Sequence, residues 1–282
     1  MMVFLNGKFV PEKKAVVSVF DRGFLYGDGL YEGVAFCHGR PFRWAQHMTR
    51  LAQGLQTLRM EWPISADELL KGALRLVALN KMPETLARIS ISRGITERGY
   101  SPKNAAHPAV VITTHPLPNP TTLPRWRVHV ASQRLPMGDA LSAFKTANKL
   151  PQVLARAEAD DAGAQEAVLL NARGFLAEAT TSNLFWLTGS TLCTPPLAAG
   201  PLPGVTRAAV FDLCRQKKIR VKEINARPSA VPASDGAFLS MSSWGIVEIE
   251  KFDGARVRRS PLVAELWRDY RALLSESCQG GG

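Results

Sequence analysis

Cysteine is scarce in this 282-residue chain, and its four copies, Cys37, Cys193, Cys214 and Cys278, are scattered. No C-x-x-C pair occurs, so the spacing of a zinc ribbon or a thioredoxin-like redox site is missing. The five histidines, His38, His47, His107, His115 and His129, show no metal-ligand spacing either, and no metal site is expected. Long apolar runs are absent: none approaches the roughly 20 residues that span a bilayer, so no membrane partner is expected. The opening stretch, MMVFLNGKFVPEKK, reads as strand, Asn6-Gly7 turn and strand, with no signal-peptide core. A cytoplasmic protein with reduced thiols is expected. Acidic residues are outnumbered 24 to 35 by basic ones, for a net charge of +11, which suits an anionic ligand or nucleic acid. The basic residues are dispersed, however. Their one dense cluster, Arg215-Gln216-Lys217-Lys218, closes an amphipathic helix, where cations suit the dipole. Nucleic-acid binding is therefore not expected.

What is present is an alternation of short strands and helices, which gives the class α/β or α+β. Strands are expected at 16–19, 33–37, 86–92 and 109–114, and helices at 45–58 and 66–79. The first of these helices turns Leu51, Leu55 and Leu58 to one face. PLPNPTTLP, at 116–124, is too stiff and too poor in donors for a helix or a central strand. It reads as a linker between an N-terminal domain, 1–115, and a C-terminal domain, 125–282.

Four places in the sequence suggest chemistry. In SAFKTANKLPQVLARAEADDAG, Asn148 reads as a helix cap, Pro151 fits the first turn, and Val153, Leu154 and Ala157 recur at helical spacing before Gly163. Lys145 precedes that helix; it is either an exposed loop lysine or a placed amine. LPGVTRAAVFDLC puts Gly204 before a helix that begins at Val205 and Thr206. That is common loop chemistry, or a phosphate cradle of unpaired N–H groups. Glu178, in GFLAEATTSNLFWL, is a surface charge or the partner of a protonated ring nitrogen. Arg50, on the leucine-faced helix, snorkels or grips a fixed anion. An amine, an anion cradle, an acid and an arginine together meet the needs of pyridoxal 5′-phosphate.

The chain resembles the class IV aminotransferases, the fold type IV pyridoxal phosphate enzymes, almost from end to end. DRGFLYGDGLYEG, HMTRL, SRGITERGYSP, KTANKL, EAVLLNARGFLAEATTSNLFWL, LPGVTR and FLSMSS carry the resemblance, in family order. It implies a two-domain α/β fold with the cofactor between the domains, and a homodimer. It implies that Lys145 is the Schiff-base lysine and proton shuttle, that Glu178 holds the pyridine nitrogen, and that Arg50, Val205 and Thr206 bind the phosphate. Ser242 falls where the family usually has a phosphate-binding threonine, with Ser243 adjacent.

The family contains branched-chain and D-amino-acid aminotransferases and 4-amino-4-deoxychorismate lyase. Tyr31 resembles a tyrosine that lines the substrate side of the aminotransferases, and Glu32-Gly33 is similar to the branched-chain enzymes. The lyases often carry a threonine where Gly33 stands. The Arg-Gly-Tyr loop of SRGITERGYS is lyase-like, while Arg98 matches a carboxylate-gripping arginine of the D-amino-acid enzymes. Tyr100 replaces the histidine that accompanies it there. The reading is an aminotransferase moving an amino group between an alpha-amino acid and a 2-oxo acid, with Tyr31, Arg98 and Tyr100 on the substrate. The lyase that releases pyruvate to give 4-aminobenzoate is the alternative. Trp244 either narrows the pocket or packs in the core.

Overall fold

The computed structural model describes residues 1–279, which form a mixed α/β protein of two compact units. The first unit takes residues 1–117 and 144–148 together with 274–279; the second takes 118–143 and 149–273. The short segment bearing Lys145 thus belongs to the first unit, although 26 residues of the second precede it.

In the first unit the chain runs through β1 (Met2–Leu5), β2 (Lys8–Pro11), α1 (Arg22–Tyr26), β3 (Gly29–Cys37), β4 (Arg40–Pro41), α2 (Trp44–Thr57), α3 (Ala66–Leu79), β5 (Thr85–Ser92) and β6 (Val110–Pro116). The strands make one antiparallel sheet in the order β2-β1-β6-β5-β3-β4. The helix α2 buries His47, Met48, Arg50, Leu51, Gly54 and Leu55, a stripe at helical period. Gly54 is required by close approach: a Cβ there would sit 2.8 Å from the Leu30 side chain on β3. The α3 start is a capping box, in which Ser65 Oγ accepts from the Glu68 amide and Glu68 accepts from the Ser65 amide.

In the second unit follow β7 (Arg125–Leu135), α4 (Leu150–Asp161), β8 (Glu166–Asn171), β9 (Leu176–Ala179), β10 (Asn183–Thr188), β11 (Thr191–Thr194), α5 (Val205–Gln216), β12 (Arg220–Glu223), β13 (Ala237–Met241), β14 (Gly245–Phe252), β15 (Ala255–Arg256) and α6 (Pro261–Gln279). The last turns of α6 group with the first unit. The nine-stranded sheet has the order β12-β11-β10-β13-β14-β7-β8-β9, with β15 on β14, and mixes parallel and antiparallel pairs.

Several expectations about local structure need correction. Residues 16–19 form no strand; their valines lie on irregular, exposed chain. The cap of α4 is Lys149 rather than Asn148, and no side chain bonds the first turn. Nor do Val153, Leu154 and Ala157 face inward. The buried residues of α4 are Ala155 and Ala159, small enough to pack closely with Ala131, Leu135 and Ala167. The strand β14 escapes the sequence pattern because Glu248 interrupts its apolar run. That carboxylate is buried against Arg125 Nε at 2.8 Å and Arg259 Nε at 3.5 Å. Trp244 packs edge-on against Trp126, with ring centroids 5.4 Å apart, beside the apolar core of the second unit.

Candidate active site

Lys145 is held by backbone pairing with the start of β3. The Tyr31 amide donates to the Lys145 carbonyl at 2.8 Å, the Ala147 amide donates to the Gly29 carbonyl at 2.9 Å, and Leu30 bridges Thr146. Gly27, at φ +67°, makes the tight entry possible: a Cβ there would meet Asn148 backbone at 3.2 Å. Phe144 and Thr146 are buried while Lys145 between them is half-buried, as extended chain alternates. Its Nζ lies 5.3 Å from the centroid of the Tyr31 ring, a cation–π distance for the ammonium.

Arg50 sits on the inner face of α2 as expected, and its partner is a residue the sequence reading left unassigned. Its Nε and Nη2 donate to the two oxygens of Glu32 at 2.7 and 2.8 Å, a bidentate pair. His47 Nδ1 is 2.7 Å from Glu32 Oε2. All three side chains are buried. Burial by itself would raise the Glu32 carboxyl, but His47 and Arg50 outweigh it and hold it at about 2. Burial also lowers the His47 pKa, and the charges of Arg50 and Lys145 push the same way. The sequence signal was available: His47 and Arg50 are three apart on one helix face, and Glu32 lies on the strand under it.

A cavity of about 190 Å³ opens on the first unit, with Tyr31, Arg88, Ser90, Ser92, Phe24 and Ala147 in its wall. Arg88, not singled out from sequence, lays its guanidinium 3.8 Å from the Tyr31 ring centroid. Strand alternation would have found it. Ala87, Ile89 and Ile91 of β5 are buried in the core, so Arg88 and Ser90 fall on the opposite face, paired with Gly33 and Tyr31. Arg98 and Tyr100 stand on an exposed loop. That loop is tied down by Arg22, which donates to Thr96 Oγ1 and to the carbonyls of Gly99, Tyr100 and Ser101. Asp28 fixes Arg22 Nε and Arg93 Nε, each at 2.7 Å. The DRGFLYGDG motif is therefore largely scaffold for the loop and for the approach to β3.

On the second unit, α5 begins at Val205 behind Gly204, and no side chain caps it. A Cβ on Gly204 would fall 2.0 Å from Asn183 Oδ1, so glycine is needed to bring the chain past Asn183. Thr206 Oγ1 is buried with no hydrogen-bond partner, and so are Ser182 Oγ and Ser240 Oγ. Orphaned hydroxyls beside an uncapped helix start fit a phosphate, which accepts from hydroxyls and amides alike. Glu178 is half-buried on β9 and accepts from the Leu202 amide at 2.8 Å. Ser242 and Ser243 form the half-buried turn between β13 and β14. The buried carboxylate of Glu166, also unanticipated, takes hydroxyl bonds from Thr180 and Thr181, fixing the polar run after Glu178.

The family profile of amino-transferase class IV matches residues 29–252. A protein of Methanocaldococcus jannaschii provisionally named as a branched-chain-amino-acid aminotransferase is 33% identical over 272 residues, 96% of this chain and 94% of that one. An aminodeoxychorismate lyase of Bacillus subtilis is 31% identical over 255 residues, 89% of this chain and 87% of its own. The crystal structure of a branched-chain aminotransferase from Thermoproteus uzoniensis superposes with a TM-score of 0.90 at 27% identity, covering 98% of this chain and 95% of that one. Among the described residues no helix is long and apolar enough to cross a membrane. The fold and these likenesses agree, and the chain belongs to the class IV aminotransferases, a pyridoxal-phosphate-dependent family.

Proposed function

We propose that the protein is an aminotransferase moving an amino group between an alpha-amino acid and a 2-oxo acid. One observation carries this reading: Lys145 Nζ and the Arg88 guanidinium share the Tyr31 ring, at 5.3 and 3.8 Å from its centroid. Arg88 is proposed to hold the substrate's carboxylate, with the neighbouring alpha-amino group turned to Lys145. Pyridoxal phosphate, when bound, supplies the aldehyde that takes up the amino group and a ring that draws electrons from the substrate's alpha carbon. Lys145 is proposed to hold that aldehyde through its amine and to carry the alpha proton. Glu178 is proposed to keep the ring nitrogen protonated. Val205, Thr206, Ser242, Ser243 and Arg50 are proposed to take the phosphate.

Gly33 favours transfer over the lyase reaction. A Cβ there would meet nothing closer than Leu86 Cδ1 at 3.8 Å, so packing does not exclude a threonine, and the chain still lacks that hydroxyl. The test is a single-turnover mix of holoenzyme with excess L-leucine or D-alanine and no acceptor. One 2-oxo acid per site is expected, with further release only after 2-oxoglutarate is added. Pyruvate formed catalytically from aminodeoxychorismate, with no oxo acid from either amino acid, would replace this reading with the lyase.

Substrate grip divides between two arginines. Arg88→Ala is expected to raise KM for amino acids about 10–100-fold, the worth of a charge-assisted hydrogen bond of ~1.5–3 kcal/mol. It should also erase the preference for an amino acid over the matching amine. An unchanged ratio in Arg88→Ala, with the ratio lost in Arg98→Ala, gives the carboxylate to Arg98 and Tyr100 on the exposed loop.

A homodimer is part of the proposal. Val16, Val19, Phe20 and Phe24 expose large apolar side chains on the first unit, which a second copy of the chain is proposed to cover. Light scattering after size exclusion should give twice the chain mass; a single-chain mass removes this element. A cytoplasmic location is also proposed, and cell fractionation decides it.

A further inference from the structure

The strand β3 ends at Cys37, and a tight turn through His38 and Gly39, both at positive φ, leads into β4. The turn is pinned by Glu84, whose Oε1 accepts from the His38 amide at 2.7 Å. One ligand atom each from Cys37, His38 and Glu84 lies within 4.8 Å of the others. The last turn of α6 adds a fourth candidate donor: Cys278 is buried near Cys37, and the two thiols influence one another electrostatically. All four residues belong to the first unit.

We propose that Cys37, Cys278, His38 and Glu84 form a binding site for a zinc-like divalent cation, separate from the cofactor's residues. Two thiolates, an imidazole nitrogen and a carboxylate make a set that zinc accepts. Zinc bonds of ~2.0–2.3 Å place tetrahedral ligands roughly 3.4–3.8 Å apart. His38 Nδ1 and Glu84 Oε1 stand at 3.6 Å already. The other ring nitrogen, Nε2, lies 3.3 Å from Ser275 Oγ and 3.1 Å from Gln279 Nε2, both on α6, so the imidazole is oriented from behind.

The ion has to displace both thiol protons. Burial pushes the Cys37 thiol up to about 12, and the Glu84 carboxylate and Cys278 add to the push. Burial raises Cys278 too, with Arg40 the cation that acts against it. A dication at the centre reverses this balance. Two S–H bonds break, two metal–thiolate bonds form, and both protons leave to solvent. The bound ion would staple the end of α6 to the β3–β4 hairpin and to the start of β5.

The test uses holoenzyme reduced with a phosphine, stripped with a chelator and desalted. Cobalt(II) is titrated in, and its tetrahedral absorption in the red is read away from the cofactor. One ion per chain is expected, displaced by zinc, with two protons released. Zinc should raise Tm in the parent protein and leave Tm of Cys278→Ser unchanged. Three results would overturn the proposal: no tetrahedral cobalt band, a band that persists in the Cys37→Ser/Cys278→Ser double variant, or a Cys37–Cys278 disulfide in the protein as isolated that survives without taking up metal. The titration of the parent protein decides the matter even where a serine variant folds poorly.

Discussion

Lys145→Ala is expected to end amino-group transfer while the protein stays folded. The fold should survive because the segment is held by its backbone: Tyr31 to the Lys145 carbonyl and Ala147 to Gly29 are main-chain bonds that alanine keeps. The side chain's cation–π contact with Tyr31 is worth about 0.5–1 kcal/mol at a partly exposed site. Activity has two reasons to fall. The variant lacks the amine that would hold the cofactor, and it lacks the proton carrier. A positioned acid–base group alone contributes about 10²–10⁴ in rate, so the combined loss should exceed that range. Far-ultraviolet circular dichroism and Tm should match the parent protein, and the yellow absorbance should wash out on desalting. Turnover within ten-fold of the parent would remove Lys145 from the chemistry and direct attention to Lys149, the other lysine of that stretch.

Much of this was legible before the structure, and the reasons differ by element. Helices α2 and α3 follow from local apolar spacing, and the structure ends them within a residue of expectation. The helix start at Val205 was marked by Gly204, whose need is local backbone geometry. What escaped was set by partners distant in sequence. Glu248 is tolerable inside β14 because Arg125, 123 residues away, and Arg259 neutralise it. Glu32 carries no local mark; its meaning comes from His47 and Arg50 on a helix laid over its strand. Arg88 needed the pairing of β5 with β3 before it could be placed beside Tyr31. The apolar valine and leucine of α4 misled because alanines, which carry little pattern signal, make the closer contact.

Glu32→Ala is expected to be the most destabilising single change at the site. It strands the Arg50 guanidinium and the His47 ring, both buried, with no carboxylate between them. Removing one member of such a pair typically costs about 3–5 kcal/mol, a large part of the ~5–15 kcal/mol that holds a domain. At roughly 2–4 °C per kcal/mol for a chain of this size, Tm should fall by about 6–20 °C. Replacing both ends, as Glu32→Leu with Arg50→Met, should cost less than Glu32→Ala alone, because no charge is left unpaired. The pH dependence supplies an independent readout. The folded Glu32 carboxyl sits at about 2 against an ordinary 4.5, so its contribution is fully present above 4.5. It is lost as pH falls from there toward 2, since the unfolded chain takes the proton first. His47 adds a separate slope of the same sign at higher pH, because its folded pKa is lowered and the unfolded imidazole protonates earlier. Urea midpoints of the parent protein should therefore drop as pH falls below 4.5, while those of Glu32→Ala should lack that component. Equal Tm values for parent and Glu32→Ala would show that the buried pair adds no net stability. It would then serve only to aim Arg50, and the cofactor's affinity would be the property that Glu32→Ala changes.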